Sequence, residues 1–197
     1  KSFTRVLLSY SRNTDKIKLA DFTKRAGANG VKVEYMVSDN DWVYERNHDK
    51  ATRIIAALSM QTDRIHLNIE PQAFNTYQAN KAQYQEQFIA MLRAIRVQSP
   101  NIHLSISVPF HWELETYIDA AALTDNIVVM NYENDKADTL TLRMKKIRQV
   151  VHRSKIAMAV RPQDFASNIA LEETLKVVSK AAGVDEFIIH KLADIVS

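Results

Sequence analysis

A short apolar, β-branched run followed by a stretch with helical spacing recurs along this chain at intervals of roughly 30 residues. Between the runs, apolar residues repeat at helical spacing, as in Phe88, Leu92 and Ile95. Strict alternation of strand and helix predicts a parallel sheet, in either a closed barrel or an open doubly wound sheet. The runs interpreted as strands are Thr4–Tyr10, Val31–Ser38, Arg64–Glu70, Ile102–Pro109, Asn126–Tyr132, Lys155–Arg161 and Glu186–His190.

Polar and apolar residues alternate within several of these strands, and this pattern favours the barrel. In an open doubly wound sheet, helices cover both faces and the strands are apolar throughout. Here one face of the third strand is polar, with Arg64, His66, Asn68 and Glu70, and the fourth strand alternates in the same way. We therefore predict an α/β fold, a TIM-like parallel (β/α) barrel in which seven strands are recognised and the eighth is missing or truncated.

The length of 197 residues and the ordinary composition, with 46% hydrophobic residues, predict one (β/α)-barrel domain spanning residues 1–197. The chain has three glycines and no Gly-rich phosphate loop, which argues against a dinucleotide site. Gly27 and Gly30 are expected to end the first helix, and Gly183 the last.

Composition also excludes several classes of function. The absence of cysteine rules out disulfides, thiolate catalysis and Cys-based metal sites. The net charge of +3 comes without a cluster of Lys, Arg and aromatic residues, so we expect no nucleic-acid partner. No apolar run approaches the roughly 20 residues of a membrane span. Because Lys1 almost directly precedes a strand, we expect that a leader or first element was removed, which leaves export to the periplasm or cell exterior open beside a cytoplasmic location.

Functional groups of parallel barrels lie at the carboxyl ends of the strands. In this sequence those ends carry aromatic residues beside carboxylates. Pyranose rings stack on aromatic faces while their hydroxyl groups need hydrogen bonds, so this combination predicts an oligosaccharide or polysaccharide partner and no cofactor. The expected substrate-binding residues are His66, Glu133, Trp42, Trp112, Arg161 and His190.

The third strand and its surroundings resemble glycoside hydrolase family 18, the chitinases and related endo-N-acetylglucosaminidases. The segment from Asp63 to Glu70 matches the spacing of that family's Asp-x-x-Asp-x-Asp-x-Glu signature, with His66 and Asn68 at two of its acidic positions. Met130-Asn131-Tyr132-Glu133 is similar to the family's Met-x-Tyr-Asp motif, and Ser105–Pro109 is similar to its proline-ended strand. The resemblance covers about the central third of the chain.

This resemblance implies a catalytic set made of Glu70, Asn68 and Tyr132. Glu70 would be the general acid that protonates the leaving oxygen. The acetamide carbonyl of the substrate would attack in place of a carboxylate nucleophile, which is an exception to the two-carboxylate scheme. Asn68 would polarise that acetamide, as an Asn does in the similar strand of family 85, and Tyr132 would hold its oxygen. The implied substrate contains N-acetylhexosamine.

Several alternatives remain at this point. In one alternative, Glu70 is a structural carboxylate that pairs with Arg161 and has no catalytic role. In another, Glu70 is one of two catalytic carboxylates, and Glu133 or Glu34 is the second. His66 and His103 are otherwise hydrogen-bonded interior residues, and the two tryptophans otherwise cover the core. The loss of acidic residues at positions 66 and 68 is also typical of a carbohydrate-binding barrel without activity.

A metal-dependent hydrolase is a third hypothesis for the function. It would use His66, Glu70, His111 and His190, since imidazole and carboxylate groups suit Zn²⁺. No close pair among these residues has an established ligand spacing, so we predict no metal site.

Overall fold

The computed structural model describes residues 3–190, and strands alternate with helices as predicted. The strands are β1 (Arg5–Ser9), β2 (Lys32–Val37), β3 (Arg64–Leu67), β4 (His103–Pro109), β5 (Asn126–Met130), β6 (Ile156–Val160) and β7 (Glu186–Ile189). The α-helices are α1 (Lys16–Ala28), α2 (His48–Ser59), α3 (Lys81–Gln98), α4 (Leu114–Leu123), α5 (Ala137–Arg148) and α6 (Asn168–Ala182). The seven predicted strands are thus confirmed, with small differences at their ends.

The order of the strands in the sheet follows the chain, from β1 to β7. The pairs are parallel, and Leu7 of β1 lies opposite Glu34 of β2 while Tyr35 lies opposite Ile65 of β3. A parallel sheet with a helix between successive strands is the fold class that the sequence predicts. Within residues 3–190 the structure contains these seven strands, and the expectation that the eighth is missing or truncated stays a prediction for the rest of the chain.

The chain divides into two compact units, and the division falls after Ser105 in the sequence of β4. Unit 1 is Lys1–Ser105 and contains β1 to β3, α1 to α3 and the first residues of β4. Unit 2 is Ile106–Ser197 and contains the rest of β4, β5 to β7 and α4 to α6. The prediction of one domain over residues 1–197 stays a prediction.

Each unit has helices that bury one apolar stripe, as their spacing predicts. In unit 1, Phe88, Leu92 and Ile95 of α3 are completely buried. In unit 2, Leu140 and Met144 of α5 are completely buried. Burying such side chains contributes about 2 kcal/mol each, which is more than helix propensity alone supplies.

The helix ends follow local chemistry that is visible in the sequence. The Asp15 side chain accepts hydrogen bonds from the backbone N–H groups of Ile17 and Lys18 at the start of α1. Gly183 adopts a left-handed conformation with φ 66° and ends α6, which confirms that prediction. Gly27 lies inside α1, so the prediction that it ends this helix is wrong, because the chain turns only after Ala28.

The third strand is shorter than its alternating pattern indicates. The Asn68 N–H still donates to the Val37 carbonyl of β2, at 2.9 Å, as the parallel ladder requires. Two residues later the Glu70 N–H donates instead to the Asn40 side chain, at 2.7 Å, and Pro71 starts a short 3-10 helix over Pro71–Ala73. Asn68 and Glu70 therefore lie in a structured segment just beyond the carboxyl end of β3.

No α-helix among the described residues is both long and apolar enough to cross a membrane.

Candidate functional site

A buried charged network occupies the polar face of the strands in unit 1. It consists of Glu34 with Arg5, Arg64, His103 and Ser105, one or two from each of β1 to β4. Glu34 Oε1 lies 3.3 Å from Arg5 Nη1, 2.9 Å from Arg64 Nη2 and 3.3 Å from His103 Nε2, while Ser105 Oγ donates to Oε2. This Glu34 network confirms for unit 1 that polar residues of successive strands gather on one face.

Glu34 is ionised in this environment although it is completely buried. Burial on its own raises the pKa of a carboxyl group. The contact with His103, the charge of Arg5 and the hydrogen bond from Ser105 outweigh burial and hold the pKa of Glu34 well below its ordinary range. Its carboxylate is engaged by these partners and shielded from solvent, which argues against Glu34 as the second carboxylate of a glycosidase.

His66 lies beside this network and is also completely buried. Its Nδ1 lies 2.6 Å from Ser105 Oγ. Burial is the largest effect on this imidazole and lowers its pKa to about 3, so the ring is neutral at pH 7. The structure thus gives His66 the role of an interior, hydrogen-bonded histidine, and its burial argues against the predicted contact with substrate.

Glu70 is half-buried and its carboxylate is held on both sides by amides. Asn68 Nδ2 donates to Oε1 at 2.9 Å, and Gln72 Nε2 donates to Oε2 at 3.1 Å. The backbone at Glu70 is fixed in turn by Asn40, as described above. Two neutral amides therefore orient the Glu70 carboxylate and a third fixes its backbone, at the carboxyl end of β3, where parallel folds place functional groups.

Asn40 and Gln72 are functional candidates that the sequence reasoning missed. Both are amide residues in segments that directly follow β2 and β3, and that position is the one signal that would have indicated them. Their partners emerge only from tertiary structure, since Asn40 lies 30 residues before Glu70 in the chain.

Both tryptophans of the predicted set are core residues in this structure. Trp42 is 3% exposed and Trp112 is 1% exposed. Neither ring presents a face to solvent on which a sugar could stack, because the chain after β2 and after β4 turns each indole inward. Their burial agrees with the alternative in which both tryptophans cover the core, so the proposed site does not include them.

In unit 2 the structure brings together four predicted residues at the carboxyl ends of β5, β6 and β7. The Tyr132 ring packs on buried residues of β5 and β6. Its centroid lies 5.2 Å from the Arg161 guanidinium and 5.5 Å from the His190 ring. Arg161 Nη2 is 3.6 Å from the carboxylate of Glu133, which is largely exposed. These four residues thus form one group at this edge of unit 2.

Asp164 organises that group and was missed by the sequence reasoning. Its carboxylate accepts from Arg161 Nε at 3.1 Å and from Arg161 Nη2 at 2.8 Å. It also accepts from the backbone N–H of Glu133 at 2.7 Å, and Glu133 has a left-handed backbone with φ 59°. This conformation is uncommon for a residue other than glycine, and the Asp164 hydrogen bond holds it in place.

No group of three or more His, Cys, Asp or Glu side chains within residues 3–190 is arranged to hold a metal ion. The hypothesis of a metal-dependent hydrolase therefore gains no support from the part of the chain that is described.

The parallel sheet with intervening helices places the chain in the fold class of the TIM-barrel proteins. Solved structures with this fold are similar to the chain, and they include glycoside hydrolases. A candidate α-L-fucosidase from Bacteroides thetaiotaomicron matches with a TM-score of 0.58 and 12% identity over 92% of this chain and 66% of that one. The catalytic core of xylanase A matches with a TM-score of 0.57 and 14% identity over 95% and 76%.

An aldolase, QR15, also matches, with a TM-score of 0.52 and 11% identity over 93% of this chain and 89% of that one. At such identities the comparisons establish the fold and leave the activity to be argued from the residues. No protein-family model and no curated protein sequence matches the chain.

Proposed function

We propose that this protein is a glycoside hydrolase acting on a polysaccharide or glycan that contains N-acetylhexosamine, with Glu70 as its general acid. The proposal is supported by the glycoside hydrolases among the proteins of similar fold and by the position of Glu70 at the carboxyl end of a parallel strand. It carries forward the resemblance of the third strand to family 18 and to the Asn-x-Glu feature of family 85.

The observation that carries the proposal is the amide clamp on the Glu70 carboxylate. A general acid must present its proton to the leaving oxygen in one orientation. Asn68 and Gln72 each bond one carboxylate oxygen and restrict rotation of the group. After the proton has moved to the leaving oxygen, both amides donate to the carboxylate that remains and stabilise its charge.

Asn68 has a second polar atom that suits the proposed chemistry. Its Nδ2 is engaged by Glu70, whereas its Oδ1 makes no hydrogen bond to any described residue. An amide oxygen at this place can accept the N–H of a substrate acetamide and so orient the acetamide carbonyl for attack on the anomeric carbon. Asn68 would then connect the acid to the internal nucleophile. The part proposed for Tyr132, which holds the acetamide oxygen, stays a prediction.

The test compares wild-type protein with E70Q on chitooligosaccharides and on an aryl N-acetylglucosaminide. Glutamine keeps the shape of the side chain but cannot transfer a proton to the leaving oxygen, so we expect kcat to fall by about a hundredfold or more. The matched control is E86Q, which changes an exposed glutamate of α3 and should leave kcat unchanged. Equal rates for E70Q and wild type would remove Glu70 from the mechanism.

A glycan-binding protein without hydrolytic activity is the second candidate. It is favoured by the neutral state of His66, which leaves this position without the negative charge that an aspartate would supply. Calorimetric binding of a chitooligosaccharide by wild-type protein that releases no product would support it. The absence of both binding and hydrolysis at millimolar saccharide would reject both candidates.

A further inference from the structure

The segments after β2 and β3 carry aromatic rings as well as the groups that hold Glu70. The first contains a 3-10 helix over Asn40–Val43, and Tyr44 follows it directly. The second contains the 3-10 helix over Pro71–Ala73, and Phe74 follows that helix. The two short helices contact each other, and the Asn40 side chain joins the first segment to the Glu70 backbone. The rings therefore belong to the same local structure as the proposed acid.

Tyr44 and Phe74 form a pair of half-buried rings in unit 1. Their centroids are 5.3 Å apart and their planes are inclined by 35°. We call this pair the aromatic platform. A half-buried aromatic pair leaves part of its apolar carbon surface in contact with water, and the apolar face of a pyranose ring is one of the surfaces that can cover it.

Buried tyrosines hold the platform from below. The Tyr84 ring is 6% exposed and stacks on Phe74, with centroids 5.6 Å apart and planes inclined by 25°. The Tyr84 hydroxyl lies 2.7 Å from Thr76 Oγ1 and 3.3 Å from the Tyr44 hydroxyl. The completely buried Tyr77 lies against Tyr84. Because these contacts fix the rings in advance, a ligand would not have to order them on binding.

Arg46 places hydrogen-bond donors over the Tyr44 ring of the platform. Its guanidinium carbon lies 4.7 Å from the centroid of the Tyr44 ring, and the side chain is exposed. A guanidinium group in this position keeps its N–H groups available to hydroxyl oxygens. Recognition of a sugar residue requires aromatic carbon together with nearby hydrogen-bond donors.

We propose that Tyr44, Phe74 and Arg46 form a second sugar subsite, for a residue of the glycan other than the one acted on at Glu70. This inference rests on the proposed function and deepens it, since it makes the substrate an oligosaccharide or polysaccharide that spans several sugar residues. The apolar face of one pyranose ring covers the platform, and Arg46 donates to hydroxyl groups of that ring.

The experiment measures kcat and KM for wild type and F74L on two substrates, a chitooligosaccharide of several residues and an aryl N-acetylglucosaminide. Leucine keeps apolar volume but lacks the flat face, so kcat/KM for the oligosaccharide should fall about three- to tenfold. The rate on the short substrate should stay unchanged, because it does not reach the platform. F22L, which alters a partly exposed phenylalanine of α1 in the same unit, is the control.

A second variant and a binding measurement distinguish failure of the subsite from failure of the proposed function. R46A changes an exposed side chain and should also weaken oligosaccharide binding selectively, even if F74L proves unstable. Calorimetry is carried out in the E70Q background, where binding does not depend on turnover. If F74L and R46A bind the oligosaccharide as E70Q alone does, the subsite is rejected while the proposed function stands. If wild type and E70Q neither bind nor hydrolyse any saccharide, the proposed function is rejected together with the subsite.

Discussion

Glu34 of β2 is a single residue whose partners come from three other strands of unit 1, β1, β3 and β4. Its carboxylate is completely buried, and Arg5 and Arg64, its two arginine partners, have side chains that are 6% and 21% exposed. A buried ion pair contributes little relative to an apolar replacement of both partners, but removing one partner leaves the other charge without compensation. Removing Glu34 alone is therefore expected to cost more stability than replacing the whole network with apolar residues.

We predict that E34Q lowers the free energy of unfolding by about 3 kcal/mol. Because glutamine preserves the shape of the side chain, the decrease in the free energy of unfolding would measure the cost of leaving the charges of Arg5 and Arg64 uncompensated. Urea denaturation measures it. D21N is the control, since it removes the carboxylate of the exposed Asp21–Arg25 pair and should change stability little. A loss for E34Q no larger than that for D21N would contradict this account.

Asn40 is a second residue with a specific expected effect. Its side chain accepts the Glu70 N–H, so N40A should release the backbone next to the proposed acid. We expect about 1 kcal/mol of lost stability and a fall in kcat larger than the rise in KM, because the orientation of Glu70 matters most in the transition state. Steady-state kinetics on a chitooligosaccharide checks this prediction. The control is N75A, an exposed asparagine of the segment after Glu70.

At the scale of elements, local interactions fix where helix α6 begins and ends. The Ser167 side chain accepts from the Ala170 N–H at 3.1 Å, and Gly183 provides the left-handed residue after the last turn. We predict that S167A lowers the free energy of unfolding by about 1 kcal/mol, measured by urea denaturation. S179A, within the same helix, should be neutral or slightly stabilising, since alanine has the higher helix propensity. Equal effects of the two substitutions would argue against the cap.

The strands were largely predictable because parallel strands carry a strong local pattern. Five of the seven end within one residue of their predicted bounds. The third strand departs most, since it ends at Leu67 whereas its alternation continues to Glu70. Alternation of polar and apolar residues indicates which face of the sheet a side chain occupies. It does not indicate where the backbone hydrogen bonds between β2 and β3 end, which is where the Glu70 N–H donates to the Asn40 side chain instead. That competition depends on a residue far away in the chain.

At the scale of the whole molecule, the buried histidine predicts how stability depends on pH. The pKa of His66 is about 3 when folded, against about 6.5 when unfolded. Between these values the unfolded chain binds the additional proton, so stability falls as the pH falls from 6.5 towards 3. In this range, His66 contributes up to about 1.4 kcal/mol per pH unit to the slope of the free energy of unfolding against pH. Urea denaturation as a function of pH would measure it.

H66Q is the variant that isolates this effect. Glutamine can still bond Ser105 but does not titrate, so the decline in stability between pH 6.5 and the onset of carboxyl protonation should become shallower. An unchanged slope in H66Q would assign the acid sensitivity to other groups.

The candidate site was only partly predictable, and the reason is sequence separation. Glu70 and Asn68 were predicted because they share one strand and one spacing. Asn40 and Asp164 were not, since their partners Glu70 and Glu133 lie 30 and 31 residues away. Position after a strand does not reveal which way an indole turns, and the burial of both tryptophans was therefore not predictable.

The Glu34 network also sets an order of events during synthesis on the ribosome. Arg5 emerges 29 residues before Glu34, whereas Arg64 and Ser105 emerge 30 and 71 residues after it. Until Ser105 has left the exit tunnel, the nascent strand β2 cannot bury its carboxylate with all of its partners, and an incompletely compensated charge favours the hydrated chain. Closure of unit 1 is therefore expected late in its translation, when the fourth strand becomes available.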